Sequence, residues 1–98
     1  MTDSGPEAVR AYLDDLRRRH LEGDEFADLD GRLMATNNPM ERIKLTEERR
    51  KLAERRRDLE EGFVRSASAW ATAERIQRAT FVAEGVAPEL LDRAAVSE

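Results

Sequence analysis

The stretch Ala-Thr-Asn-Asn-Pro-Met-Glu (35–41) decides how this chain folds. Asn38 is a residue type that caps helix N-termini, and Pro39 fits a first helical position. Glu41 stands three residues after the cap, the spacing of a capping box. Helical patterns run on both sides, and so short a connection folds them into an antiparallel hairpin.

Downstream of the turn, residues 39 to about 61 are good helix formers, rich in Leu, Glu, Lys, Arg and Ala. Leu45, Leu52 and Leu59 recur every seventh residue and Phe63 extends them, which is the coiled-coil period. Arg49 and Arg56 flank this narrow stripe. Such a stripe makes a poor isolated core, and predicts self-association through Leu45, Leu52, Leu59 and Phe63.

Upstream, Pro6 suits a helix start and Glu7 favours its dipole. Val9, Leu13, Leu16 and His20 follow at helical spacing, with Tyr12 alongside. Gly23-Asp24 reads as a helix end and a new cap. The next stripe, Phe26, Leu29 and Leu33, sits roughly 120° round from the first, so one straight helix cannot bury both. A break at Gly23 is expected. Folding about residues 37–38 brings together residues whose numbers add to about 75. Phe63 then meets Tyr12, Leu59 meets Leu16, and Leu45 meets Asp30 beside Leu29.

The net charge of −4 conceals a strong asymmetry. Residues 1–35 hold nine acids against five arginines, whereas residues 42–57 hold eight bases against three acids. One reading of the run 48–58 is a phosphate-binding helix. The other is a salt-bridge-laced helix, with Glu47–Lys51, Arg56–Glu60 and Arg57–Glu61 at i,i+4 spacing, pairing the acidic arm it folds against.

The last third changes character. Phe63, Ala67 and Trp70 mark a short helix ending near Glu74; Ile76, Phe81 and Val82 mark a second stopping at Gly85; Pro88 starts a third, with Leu90, Leu91, Ala94 and Val96 on its buried side. Trp70, flanked by alanines, is the expected anchor. Residues 81–94 have a helix-turn-helix outline, but Glu89 and Asp92 on the second helix would repel phosphate, which favours a packing role. The domains expected are a charged hairpin and dimerisation arm, 1–62, and a compact helical module, 63–98.

Large side chains are scarce, with one Trp, one Tyr and three Phe in 98 residues. A chain of this length buries only ~60–65% of its unfolded surface, so thin helical layers suit it. Cysteine is absent, which removes disulfides and thiolate metal sites. No stretch approaches the ~20 apolar residues of a membrane span. The start Met-Thr-Asp-Ser-Gly-Pro lacks the basic and apolar regions of an export signal, so a cytoplasmic location is expected.

His20, the single histidine, continues an apolar stripe and reads as structural or exposed. Asp28, Asp30 and Gly31 fit part of a calcium loop. Phe26 and Asn37 then fall where the first ligand and the closing acid should be, and the match fails. No nucleotide-binding, hydrolase or zinc-protease motif is present, so no catalysis, cofactor, metal or small-molecule substrate is expected.

The order Ser-Ala-Trp-Ala (68–71), Glu-Arg-Ile (74–76), Phe81 and Gly-Val-Ala-Pro-Glu-Leu-Leu-Asp-Arg-Ala (85–94), with Asn-Pro-Met-Glu-Arg-Ile-Lys-Leu (38–45), resembles a group of small, mostly uncharacterised actinobacterial proteins. Those join a charged helical hairpin to a tail of the Trp-Ala…Gly-Val-Pro kind, and the resemblance covers about residues 29–96. More distantly, Trp70-Ala71 and Ala87-Pro88-Glu89-Leu90-Leu91 are similar to the DNA-binding tail of mycobacterial H-NS-like gene silencers. Where that tail carries Arg-Gly-Arg, this chain has Ala83-Glu84-Gly85-Val86, so the resemblance implies DNA binding without that minor-groove contact.

The expectation is therefore an all-α protein: an antiparallel, coiled-coil-like hairpin followed by a small helical domain of helix-turn-helix outline. Its expected function is DNA binding, nucleoid-associated or regulatory, as a homo-oligomer on double-stranded DNA. Arg49, Arg50, Lys51, Arg55, Arg56 and Arg57 would make the contacts, helped by Arg75 and Arg78. The alternative is a coiled-coil protein–protein adaptor that does not touch nucleic acid, which the net negative charge favours.

Overall fold

The computed structural model describes residues 5–97. Residues 1–4, which belong to the polar start read above as unlike an export signal, and Glu98 lie outside the described residues. Among the described residues five helices follow one another: α1 (Pro6–Glu22), α2 (Glu25–Ala35), α3 (Pro39–Glu74), α4 (Arg78–Ala83) and α5 (Pro88–Arg93). The described residues are 82% helical, with no strand among them.

The hairpin turn forms as its residues require. The Asn38 side chain accepts hydrogen bonds from the backbone N–H groups of Met40 (2.9 Å) and Glu41 (3.3 Å), and Pro39 opens α3. The reciprocal half of the capping box is made differently. The Asn38 N–H donates to Thr36 Oγ1 at 3.2 Å, so Thr36 takes the role expected of Glu41.

The break at Gly23 is present, with Gly23 at φ 97°. Asp24 caps α2, its Oδ1 accepting from the Phe26 N–H at 2.8 Å. The two-residue link also shifts register. Tyr12 faces Phe63 as expected, with ring centroids 4.8 Å apart. On α2, however, Asp30 pairs with Arg49 and Asp24 with Arg56, about one helical turn beyond the alignment expected from a straight hairpin.

The largest departure from expectation concerns α3. It does not stop near residue 61 but runs unbroken for 36 residues, through Gly62, to Glu74. Gly62 is buried against α1, and a Cβ there would lie 3.4 Å from the Ala8 Cβ. The glycine serves close helix packing, not a chain break. Nearby, the Gly5 N–H donates to Ser66 Oγ at 3.1 Å, fastening the start of α1 to α3.

Two separate apolar clusters result. The larger gathers Val9 and Tyr12 of α1, Phe63, Ala67 and Ala71 of α3, and Phe81, Val86, Leu90, Leu91, Ala94 and Val96 of the tail. Leu13, Leu16, Leu59, Val64, Trp70 and Ile76 pack against it. The division at 62/63 is thus redrawn: one helix crosses it, and this core takes residues from both sides. Phe63, with no exposed surface, is the anchor in place of Trp70. Trp70 is half-buried against the edge of Phe81, 6.0 Å away. The smaller cluster holds only Leu29, Leu45 and Leu52, flanked by Phe26 and Leu33.

The tail is closed by one device used three times. Arg75 (φ 60°), Gly85 (φ 101°) and Ala95 (φ 60°) are all left-handed. Each donates its N–H three residues back, to Thr72, Val82 and Asp92. The following Ile76, Val86 and Val96 donate five residues back, to Ala71, Phe81 and Leu91. This is the Schellman closure, and each copy turns a β-branched side chain into the larger core.

Candidate interaction surface

α3 carries the basic run, and α2 lies along it. Arg49 Nε donates to Asp30 Oδ1 at 2.6 Å, and Arg56 Nη2 to Asp24 Oδ1 at 2.7 Å. Arg55 lies 3.9 Å from Glu25. The guanidinium carbons of Arg49 and Arg56 sit 4.9 and 4.5 Å from the centroid of the Phe26 ring, so one aromatic ring is shared by two cations. Arg56 is the most enclosed of these cations, its side chain 11% exposed. Arg50 is held along its own helix by Glu47 (2.8 Å) and Glu54 (3.8 Å). These contacts leave their mark on proton affinity. The hydrogen bond from Arg56 holds the Asp24 carboxyl below the usual carboxylate range, and Arg50 does the same to Glu47.

Of the residues expected to meet DNA, Arg49, Arg50, Arg55 and Arg56 are therefore ion-paired inside the chain. Arg78 is a structural staple. Its Nη1 donates to the Val96 carbonyl at 2.7 Å, and its Nη2 to the Pro88 carbonyl (3.1 Å) and Asp92 (2.8 Å). It ties the chain's last turn to α4 and α5. Lys51, Arg57 and Arg75 are exposed, and none forms an ion pair among the described residues. The i,i+4 pairs expected for Glu47–Lys51, Arg56–Glu60 and Arg57–Glu61 are not the ones formed. The paired arginines turn toward α2 or toward Glu47.

The residues assigned to self-association are also occupied. Leu45, Leu52 and Phe63 are buried within one chain, and Leu59 is partly buried. Phe26, Leu29 and Leu33 cover the stripe near the turn, and α1 covers it further along. Within one chain the seam is thus already buried. The hairpin expected from the sequence already set Tyr12 against Phe63 and Leu29 beside Leu45, and α1 and α2 do cover the stripe in cis.

Not expected from the sequence are the large apolar side chains left outside at the hairpin end. Met34, Met40 and Ile43 are 88, 76 and 70% exposed, all at the hairpin end of the molecule. Met40 and Ile43, three residues apart, share a face of α3. Ile43 borders an open groove of about 500 Å³ with Pro39, Arg42, Thr46 and Glu47. The signal was available: Ile43 lies 200° round from Leu45, on the opposite side of the helix.

Among the described residues no three His, Cys, Asp or Glu side chains come together as a metal site would require. None of their helices is long and apolar enough to cross a membrane. No family model matches the chain, nor does any curated protein or solved structure.

Proposed function

We propose that this protein is a non-catalytic helical module that binds another protein. The observation carrying this reading is the internal pairing of the basic run with Asp24, Glu25, Asp30, Glu47 and Glu54. A helix that attracts duplex phosphates gains by presenting unopposed cations. This one lies beside an acidic arm, in a chain of net charge −4. The exposed Met34, Met40 and Ile43 supply apolar surface of the kind that protein partners cover.

The test has two arms. Random duplex DNA at ~50 mM salt, where phosphate attraction is strongest, should show no mobility shift. A photo-crosslinking amino acid at position 43 should yield a discrete protein adduct in the cells of origin, and one at Ala79 should not. A DNA shift with a log–log salt slope near −4.5, about five phosphates at ~0.9 each, would overturn the reading.

The second reading is double-stranded DNA binding of the nucleoid-associated or regulatory kind. It is supported by the tail's resemblance to H-NS-like silencers and by Lys51, Arg57 and Arg75, which are exposed without ion pairs among the described residues. Three such contacts would give a shallower slope, near −2.7.

A further inference from the structure

We propose that α2 is a removable cover, and that the α3 face beneath it accepts an acidic amphipathic helix from a partner protein. This rests on the protein-binding reading above and names a surface for it. Three observations converge. First, α2 packs on a cluster of its own: Leu29, Leu45 and Leu52 share no residue with the larger core that joins α1, α3 and the tail. Lifting α2 leaves that core intact.

Second, α2 is weakly built. It has 11 residues, of which Leu29 alone is buried, and isolated helices of that length are marginal in water. Gly31 stands exposed in its interior, and nothing lies within 4 Å of where a Cβ would be. No packing contact calls for glycine there, and its physical effect is to lower helix stability. Gly23 on one side and Thr36–Asn38 on the other provide joints free of helix.

Third, the face beneath is specific. Removing α2 uncovers Leu45 and Leu52, edged by Arg49 and Arg56, with Arg55 nearby. The pattern that satisfies it is the one α2 carries: an acid two residues before an aromatic, then leucines three and seven residues after it, with an acid beside the first leucine (Asp24, Phe26, Leu29, Asp30, Leu33). Bare nucleic acid would satisfy the arginines and leave both leucines in water, so a helix bearing acids and apolar residues is the better match.

The experiment uses the full chain and a labelled peptide of residues 24–36 as the probe. In native-state hydrogen exchange the α2 amides should exchange at least ~10-fold faster than those of α1 and the second half of α3. Leu29→Asp, with Trp70 fluorescence unchanged to report the intact larger core, should bind the peptide at least ~10-fold more tightly than the wild type. Gly31→Ala should slow α2 exchange and weaken peptide binding, each by about threefold to fivefold, the usual ratio for alanine against glycine within a helix. A peptide with Asp24 and Asp30 changed to Arg should not bind.

The proposal falls if α2 exchanges only with global unfolding, or if Leu29→Asp keeps its core yet gains no affinity. It also falls if the wild type dimerises by exchanging α2, making a second copy the occupant, or if Leu29→Asp shifts duplex DNA and ignores the peptide. Should Leu29→Asp fail to fold, the exchange rates of wild type and Gly31→Ala decide alone. Adducts at position 43 are independent of all these outcomes, so the wider protein-binding reading stands or falls separately.

Discussion

Asp24 and Arg56 meet through a single oxygen: Asp24 Oδ1 accepts the N–H of Phe26 at 2.8 Å, capping α2, and Nη2 of Arg56 at 2.7 Å, anchoring that cap to α3. The start of α2 and its docking are therefore one arrangement. The same Arg56 guanidinium lies against the Phe26 ring, so cap, cation and aromatic hold one another in place.

This geometry sets a pH dependence. The hydrogen bond from Arg56, and then that from Phe26, lower the Asp24 carboxyl's pKa. A carboxyl with a depressed folded pKa contributes stability above its unfolded pKa, and that contribution is lost as pH falls through the folded value. The α2–α3 closure should thus hold at neutral pH and loosen below about pH 4. A carbon-13 carboxyl titration should place Asp24 below the ordinary aspartate range, and an unshifted midpoint would contradict the paired geometry. Asp24→Asn keeps a capping oxygen and should flatten the acid dependence of α2 exchange.

Phe63 should outweigh Trp70 in stability. Phe63 is fully buried between Tyr12 and Phe81, at 4.8 and 5.8 Å, whereas Trp70 is only partly buried. Phe63→Ala should cost about 3–5 kcal/mol by urea unfolding. Trp70→Ala should cost less than half as much, and equal losses would return the tryptophan to the role of anchor.

The three left-handed closures should respond oppositely to substitution. Arg75 and Ala95 bear a Cβ at φ 60°, a conformation that costs L-residues roughly 1–2 kcal/mol. Arg75→Gly and Ala95→Gly should each raise stability, by up to about 1 kcal/mol once glycine's greater unfolded freedom is counted. Gly85→Ala should lower it. Its Cβ would meet Leu16 Cδ2 at an ordinary 3.7 Å, so the cost would be conformational, not steric. Thermal unfolding of the three variants distinguishes the signs.

Arg78 offers a separation between staple and nucleic-acid contact. Arg78→Ala removes donors from the Val96 and Pro88 carbonyls and from Asp92, and should destabilise the tail by about 1.5–3 kcal/mol. The loss should appear in the exchange of tail amides near Val96, with α2 exchange unchanged. Unaltered stability would remove the staple.

What the sequence by itself determined were the features written in local backbone preference. Asn38-Pro39 starts α3, Gly23-Asp24 ends α1 and caps α2, and Pro88 starts α5, because capping and fixed φ act within a few residues. The Tyr12–Phe63 pairing was legible too, since folding at the short connection sets the two apolar stripes against each other. The tertiary structure alone decided the rest. Gly62 is helical because Ala8 comes close to it, and a glycine's tolerance says nothing of which neighbour needs it. Arg75 and Ala95 turn left-handed because Ile76 and Val96 gain burial by it. The leucine stripe is covered by α1 and α2 within the chain, and periodicity alone reveals an apolar face but not how completely its neighbours bury it. Likewise the arginines of α3 looked alike in sequence. The α2–α3 register, about one turn off that of a straight hairpin, settled which of them face Asp24 and Asp30, because ion pairing depends on distances across the hairpin, not along the chain.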